Sequence, residues 1–209
     1  MIDTIIFDIG NVLADFTWRE LIDAQGYSTE DKETAMRLFT SPHWKEVDRG
    51  VLSDDEILDK VCGGDPAARA IMEPLYIKAA DCIKPNDYSQ RLIEEIKARG
   101  LRLYVLSNFG AMYFEHCRAY YSFLALMDGA VVSYQEKIIK PDPRIYQILI
   151  DRYKIDPLKA VYLDDHAKNL APAAALGMET IHVTGFDSII EGLNTIGAGL
   201  PAERSYYTA

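Results

Sequence analysis

The sequence predicts an α/β fold: a parallel sheet flanked by helices, with a small all-helical unit inserted after the first strand. Three observations predict it. Short apolar runs alternate with stretches of helical period. Residues 15–85 show helical patterning and no strand-like run. The apolar runs end in polar residues, the place where open α/β sheets bind their ligands.

Thr4 to Phe7 is a β-branched and aromatic run stopped by Asp8 and Gly10, and it reads as a buried strand. In the insert, Ser53 followed by Glu56 spells a capping box, and Gly63-Gly64-Asp65-Pro66 a turn ahead of another helix. Tyr88 to Arg99 places Leu92, Ile93 and Ile96 on one helical face, with Gly100 as the stop. Leu101 to Leu106 is the second strand and Ala130 to Val132 a weaker third. Pro143 to Tyr153 has helical spacing in Ile145, Tyr146, Ile148 and Leu149. Ala160 to Leu163 is the fourth strand, Ala167 to Leu176 a helix, and Thr180 to Val183 the fifth strand. Strands alternating with helices imply crossover connections and a parallel sheet. The expected division is a core of residues 1–14 and 86–209, with a helical cap of residues 15–85.

Bulk composition narrows the function. With 209 residues, 49% of them hydrophobic, the chain can bury one sizeable core plus a small insertion. The formal net charge of -10 argues against nucleic acid and anionic membrane as partners. It leaves room for a small phosphorylated metabolite, because a bound cation inverts the local field. Three cysteines, Cys62, Cys82 and Cys117, are an odd count without a CxxC pair, which predicts reduced thiols and no zinc knuckle. No apolar run reaches the length of a membrane span, and the N-terminus lacks a basic n-region; the expected location is cytoplasmic. A monomer or a homodimer is expected.

The strand ends gather a chemically coherent set. Asp8 follows the first strand, Ser107 and Asn108 the second, and Lys140 lies in KPDPRIY after the third. Asp164, Asp165 and Asn169 follow the fourth. A carboxylate such as Asp8 can attack phosphorus and form an acyl phosphate. Carboxylates from two strands can hold Mg2+, which prefers oxygen ligands. The metal and a lysine neutralise phosphoryl charge, and a small hydroxyl and backbone N–H groups hydrogen-bond it. Lys137 competes with Lys140, but the proline and helix that follow favour Lys140. His166 sits beside the acidic pair; magnesium's preference for oxygen gives it a supporting or exposed role.

Taken in order, FDIGNVL, LSN, the KPDPRIY lysine and YLDD with Asn169 resemble the four motifs of the haloacid dehalogenase superfamily. The resemblance covers nearly the whole chain and includes the position of the helical insert. With DRG at residues 48–50, the flavour is nearest to a subgroup of sugar-phosphate phosphatases resembling bacterial α-glucose-1-phosphatase. It implies a Rossmann-like core, a cap domain and Mg2+. Residue by residue, it implies Asp8 as nucleophile and metal ligand, Ser107 and Asn108 as phosphate contacts, and Lys140 as the group orienting both. It also implies Asp165 as the principal acidic metal ligand, Asp164 beside it, and Asn169 in support.

One position departs. Most phosphatases of this kind carry an aspartate two residues after the nucleophile as general acid and base; here it is Gly10. Glycine keeps the backbone carbonyl as a metal ligand and loses the proton carrier, a group worth about 10²- to 10⁴-fold in rate.

For the cap, Trp18, His43, Trp44 and Arg49 are candidates to face substrate. Arg49 is favoured because a guanidinium forks onto phosphate or sugar oxygens. The expected activity is a Mg2+-dependent phosphatase of a small phosphorylated metabolite, a sugar phosphate foremost. Two alternatives stand beside it: a metal-independent 2-haloacid dehalogenase, and a non-catalytic protein that binds a phosphorylated ligand.

Overall fold

A computed structural model of the chain describes residues 1–208. Its centre is a five-stranded, all-parallel sheet of β1 (Thr4–Phe7), β4 (Arg102–Ser107), β5 (Gly129–Val132), β6 (Ala160–Asp164) and β7 (Glu179–His182), in the order β5-β4-β1-β6-β7. β1 pairs with β4 through Thr4↔Arg102 to Phe7↔Val105 and with β6 through Thr4↔Ala160 to Phe7↔Leu163. β1, buried along its whole length, therefore occupies the middle of the sheet, covered on both faces.

Alternation along β1 sorts its side chains between two helical layers. Ile5 and Phe7 pack with α6 (Ser89–Ala98) and α11 (Phe186–Thr195), through Leu92, Ile93, Ile96, Ile189 and Leu193. Ile6 faces the other way, toward α9 (Pro143–Tyr153), through Ile145, Tyr146 and Leu149, and α10 (Ala167–Ala175), through Ala173. α7 (Ala111–Tyr120) and the one-turn α8 (Ser133–Glu136) complete the crossovers around β5. The long strands and helices fall within a residue or two of the expected spans. The sequence reading does not name α7 and α11.

Between β1 and α6 lie α1 (Trp18–Asp23), α2 (Thr29–Phe39), α3 (Lys45–Arg49), α4 (Asp54–Cys62) and α5 (Pro66–Lys78). Ser53 and Glu56 form the expected capping box, Gly63 closes α4 in the left-handed conformation, and Asp65 caps α5 ahead of Pro66. Ile22, Ala35, Phe39, Val47, Ile57, Leu58, Met72 and Leu75 form the apolar centre of these helices. The expectation of no strand here is corrected at both ends. β2 (Ala14–Phe16) and β3 (Ile83–Pro85) pair antiparallel, Ala14↔Pro85 to Phe16↔Ile83, and draw together the two chain segments that enter and leave the insert. Three-residue strands leave no periodicity to read. The three cysteines are buried and unpaired.

The β5 edge is closed by a side chain. The Tyr153 hydroxyl accepts from Ala130 N at 3.0 Å and donates to Ala130 O at 3.0 Å, replacing a missing strand neighbour. The ring lies so close to Gly129 that a Cβ there would fall 2.3 Å from it. Gly129→Ala is therefore expected to displace Tyr153 and lower the unfolding free energy by about 1–3 kcal/mol in urea titrations.

Candidate active site

The carboxyl ends of β1, β4 and β6 converge on one buried ion cluster. Asp8 directly follows β1, and its backbone N–H donates to Leu163 O at 2.9 Å. Its Oδ1 accepts from Ile9 N at 2.7 Å and from the Ser107 hydroxyl at 2.5 Å. Its Oδ2 pairs with Lys140 Nζ at 2.9 Å. The same ammonium pairs with Asp164 Oδ2 at 2.7 Å and reaches Leu106 O at 3.1 Å and the Tyr162 hydroxyl at 2.9 Å. Lys140 is 3% exposed, and Asp164 is fully buried.

Lys140 is held at its backbone as well. The Asn108 side chain accepts from Lys140 N at 2.7 Å and donates to Lys140 O at 3.2 Å. Asp142 caps α9, with Pro143 in its first turn, which fixes the chain just beyond the lysine. Asp164 in turn accepts from His166 N at 2.8 Å, from Asn169 Nδ2 at 3.0 and 3.1 Å, and from the Tyr162 hydroxyl.

The electrostatics follow from this packing. Burial pushes the Asp8 carboxyl above the ordinary carboxylate range, with Lys140 and the Ser107 hydroxyl pulling the other way. Asp164 is also penalised by burial. The Lys140 charge and hydrogen bonds from Lys140, Tyr162 and His166 N–H outweigh that and hold it below its ordinary value. One ammonium faces two buried carboxylates, so the cluster has a charge deficit that a cation would meet.

Above the cluster a cavity of about 540 Å³ opens between the sheet and α1–α3. Asp8, Gly10, Asn108, Lys140, Asp165 and Asn169 line its sheet side. Asp165 is reached by Asn11 Nδ2 at 2.9 Å and His166 Nδ1 at 2.7 Å and has a 16% exposed side chain. The Asp8 and Asp165 carboxylates and the Gly10 carbonyl are all-oxygen donors, which suits a hard divalent cation. Asn169 Oδ1 is buried without a partner, an oxygen left over at this wall. Among the described residues, ligand atoms of Asp164, Asp165 and His166 also come within 4.8 Å of one another. The opposite wall is aromatic: Phe16, Trp18, Phe39 and Trp44, with Tyr113 and Phe109 beside them. Trp18 stacks on Phe39 at 5.3 Å, and Phe39 meets Trp44 at 5.0 Å.

The expected residues are thus mostly brought together, with four adjustments. Asp164 does not line the cavity. Its oxygens are taken up by Lys140, Tyr162, Asn169 and His166 N–H, so of the acidic pair Asp165 faces the opening. Ser107 is 1% exposed and gives its hydroxyl to Asp8, beneath the cavity floor. Arg49 is not among the cavity residues; its guanidinium turns along its own helix to Glu46, Nε to Oε2 3.3 Å. His43 is exposed and also outside the lining, whereas Trp18 and Trp44 are in it.

The neighbour of Arg49 takes its place. Asp48 enters the cavity from the helical side, and burial and the nearby Asp8 charge push its carboxyl up to about 7, against the pull of Lys140. Sequence reasoning passed over it because a lone aspartate among 32 acidic residues carries no signal beyond its place in DRG.

Comparison with known proteins shows what the chain is similar to. A family model described as haloacid dehalogenase-like hydrolase matches residues 2–177. The chain is 27% identical to the sesquiterpene phosphatase astK of Aspergillus oryzae, covering 86% of this chain and 88% of that protein. It is 28% identical to mouse acyl-CoA dehydrogenase family member 10 over 92% of this chain, but spans only 19% of that longer protein. The fold superposes with a TM-score of 0.64 on a HAD family enzyme from Bacteroides thetaiotaomicron, solved in complex with magnesium and inorganic phosphate. That likeness, at 21% identity, covers 86% of this chain and 93% of the other.

Lys140→Ala leaves two buried carboxylates facing each other and is expected to cost about 3–5 kcal/mol of unfolding free energy. The two shifted acids act on stability with opposite signs. The lowered Asp164 contributes stability above its ordinary pKa of 3.8 that is lost as pH falls below it. The raised Asp48 contributes stability that is whole below 3.8 and is lost as pH rises through about 7. Thermal melts should therefore place Asp48→Asn above the wild type at about pH 8, with the gap closing toward about pH 4.

Proposed function

This chain belongs to the haloacid dehalogenase-like hydrolases, and on that premise we propose that it is a divalent-metal-dependent phosphatase of small phosphate monoesters, acting through an aspartyl phosphate on Asp8. The observation that carries the reading is the setting of Asp8. Its carboxylate is locked by Ser107 and Lys140 and lines a cavity whose wall also includes Asp165, Gly10 and Asn169.

In this reading an oxygen of Asp8 attacks phosphorus and the alcohol leaves; water then hydrolyses the acyl phosphate. Lys140 favours the ionised form of Asp8, orients it, and presents positive charge where the phosphoryl oxygens gather charge. Asp164 and Asn108 hold the lysine at that point from two sides. The carboxylates of Asp8 and Asp165 and the Gly10 carbonyl would hold Mg2+, which when bound supplies Lewis-acid charge to the phosphate. Asp165 speaks against a metal-independent dehalogenase, because a second carboxylate beside Asp8 repels the carboxylate of a haloacid.

The helical unit acts as the cap and supplies specificity. A wall of Phe16, Trp18, Phe39 and Trp44 favours an alcohol with an apolar or aromatic body over a fully hydroxylated sugar. The sesquiterpene phosphatase among the relatives accords with that preference. Among phosphate monoesters, apolar alkyl or prenyl phosphates are expected to exceed sugar phosphates in kcat/KM. Trp44→Ala should raise KM for the apolar ester by roughly 10-fold while leaving kcat nearly unchanged.

Phosphate release should stop with EDTA and return with added Mg2+. Asp8→Asn is expected to lower kcat by about 10⁴-fold or more. Acid-quenched wild type should carry one added phosphoryl group at Asp8 by mass spectrometry. Turnover that survives Asp8→Asn overturns the assignment.

A further inference from the structure

Phosphoryl transfer through Asp8 has two proton demands that the ion cluster cannot meet. The departing alcohol oxygen needs a proton, and the incoming water must lose one. Attack is in line, so both oxygens occupy the side of the phosphorus away from Asp8. That side faces the helical wall of the cavity, and the position two residues after Asp8 is Gly10, which has no side chain to offer.

The titratable groups lining the cavity can be taken in turn. Lys140 is committed to Asp8 and Asp164. Asp165 and His166 pair with each other on the sheet side. Asp15, Lys45 and Lys168 are exposed to solvent. The Tyr113 hydroxyl donates to Tyr76 O at 3.0 Å, and burial raises it far beyond useful acidity. Asp48 remains. Among the described residues no side-chain or backbone donor is paired with its carboxylate, and it comes from the helical side.

Its backbone is fixed to the core rather than left to the insert. The buried Ser133 hydroxyl donates to Asp48 O at 2.6 Å and accepts from Phe109 N at 2.9 Å, tying α3 to the loop after β4. The Lys137 ammonium donates to Gly50 O. Gly50 and Gly110 let two further pairs close up: a Cβ on Gly50 would fall 2.9 Å from Tyr134, and one on Gly110 2.6 Å from Val47. Gly50 also has a left-handed φ of 65°, which suits glycine at the end of α3.

We infer that Asp48 is the general acid and base of this active site, a catalytic carboxyl supplied by the helical insert in place of the missing side chain at position 10. The inference rests on the phosphatase reading above. In the first step Asp8 bonds to phosphorus, and the phosphorus–oxygen bond to the alcohol breaks. The electron pair stays on the alcohol oxygen, which takes the proton of the Asp48 carboxylic acid. In the second step water bonds to phosphorus and gives a proton to the Asp48 carboxylate. The bond to Asp8 breaks with its electrons returning to the carboxylate, so inorganic phosphate leaves and Asp48 is protonated again. A single carboxyl on the helical side of the cavity can serve both halves of the cycle, as acid in the first and as base in the second.

The test compares leaving groups of similar body, benzyl phosphate with a poor one and 4-nitrophenyl phosphate with a good one. Asp48→Asn is expected to lower kcat on benzyl phosphate by about 10²- to 10⁴-fold and on 4-nitrophenyl phosphate by less than about 10-fold. Asp48→Glu, which keeps a carboxyl, should recover part of the benzyl phosphate activity. Equal losses on both esters, no loss on either, or a glutamate variant indistinguishable from the asparagine variant overturns the assignment of Asp48. Wild type inactive on both esters with magnesium present instead removes the phosphatase reading beneath it. A folded asparagine variant, with circular dichroism like the wild type and a thermal midpoint not below it near neutral pH, separates lost proton transfer from lost structure.

Discussion

A buried ammonium between two buried carboxylates is the constraint around which this molecule is arranged. Lys140 is almost inaccessible, and so are Asp8 and Asp164. Charges without water are tolerable only when every lone pair and every proton finds a partner. The neighbouring elements supply those partners: Leu106 O from β4, the Tyr162 hydroxyl from β6, Asn169 from α10, and Ile9 N from the loop after β1. The central three strands must therefore keep their register. A one-residue slip of β6 would point Asp164 to the opposite face of the sheet and strand the lysine.

Much of this was readable from residues alone. The β1 run is short, β-branched and aromatic, and bounded by Asp8, so its burial as a strand could be foreseen. The ordered polar residues at the strand ends could be foreseen too, because open α/β sheets place their chemistry there. What could not be read was direction. The motif resemblance singled out Asp165 as the principal metal ligand, but it did not say where its chemically identical neighbour Asp164 would turn. Only the strand's alternation against the pocket decides that one turns into the ion cluster and the other toward the opening. The same holds at DRG. Arg49 has the more versatile head group, yet the turn of α3 aims it along the helix toward Glu46 and leaves Asp48 facing the cavity. The β2–β3 pair escaped notice because three residues make no pattern.

The helical insert brings two kinds of surface to the cavity. Phe16, Trp18, Phe39 and Trp44 form a chain of packed rings, continued by Tyr113, that is large, stiff and indifferent to hydrogen bonding. Such a wall recognises shape and apolar area. The sheet side is its opposite, a cluster of fixed charges suited to a phosphoryl group. A ligand that satisfies both walls is amphipathic by construction, with a charged head against the strand ends and an apolar body under the helices.

The contact between Ser133 and the Asp48 carbonyl divides the insert in an unexpected place. α3 lies within the insert by sequence, but its C-terminal turn is bolted to the loop after β4 and to α8. Among the described residues, the aromatic side chains of α1 and α2 have no such hydrogen-bonded tether to the strand ends. Evolution can therefore remodel those first two helices to admit new alcohols while the machinery over the phosphorus stays where it is. A laboratory chimera that exchanges residues 17–40 and keeps 45–50 would follow the same seam.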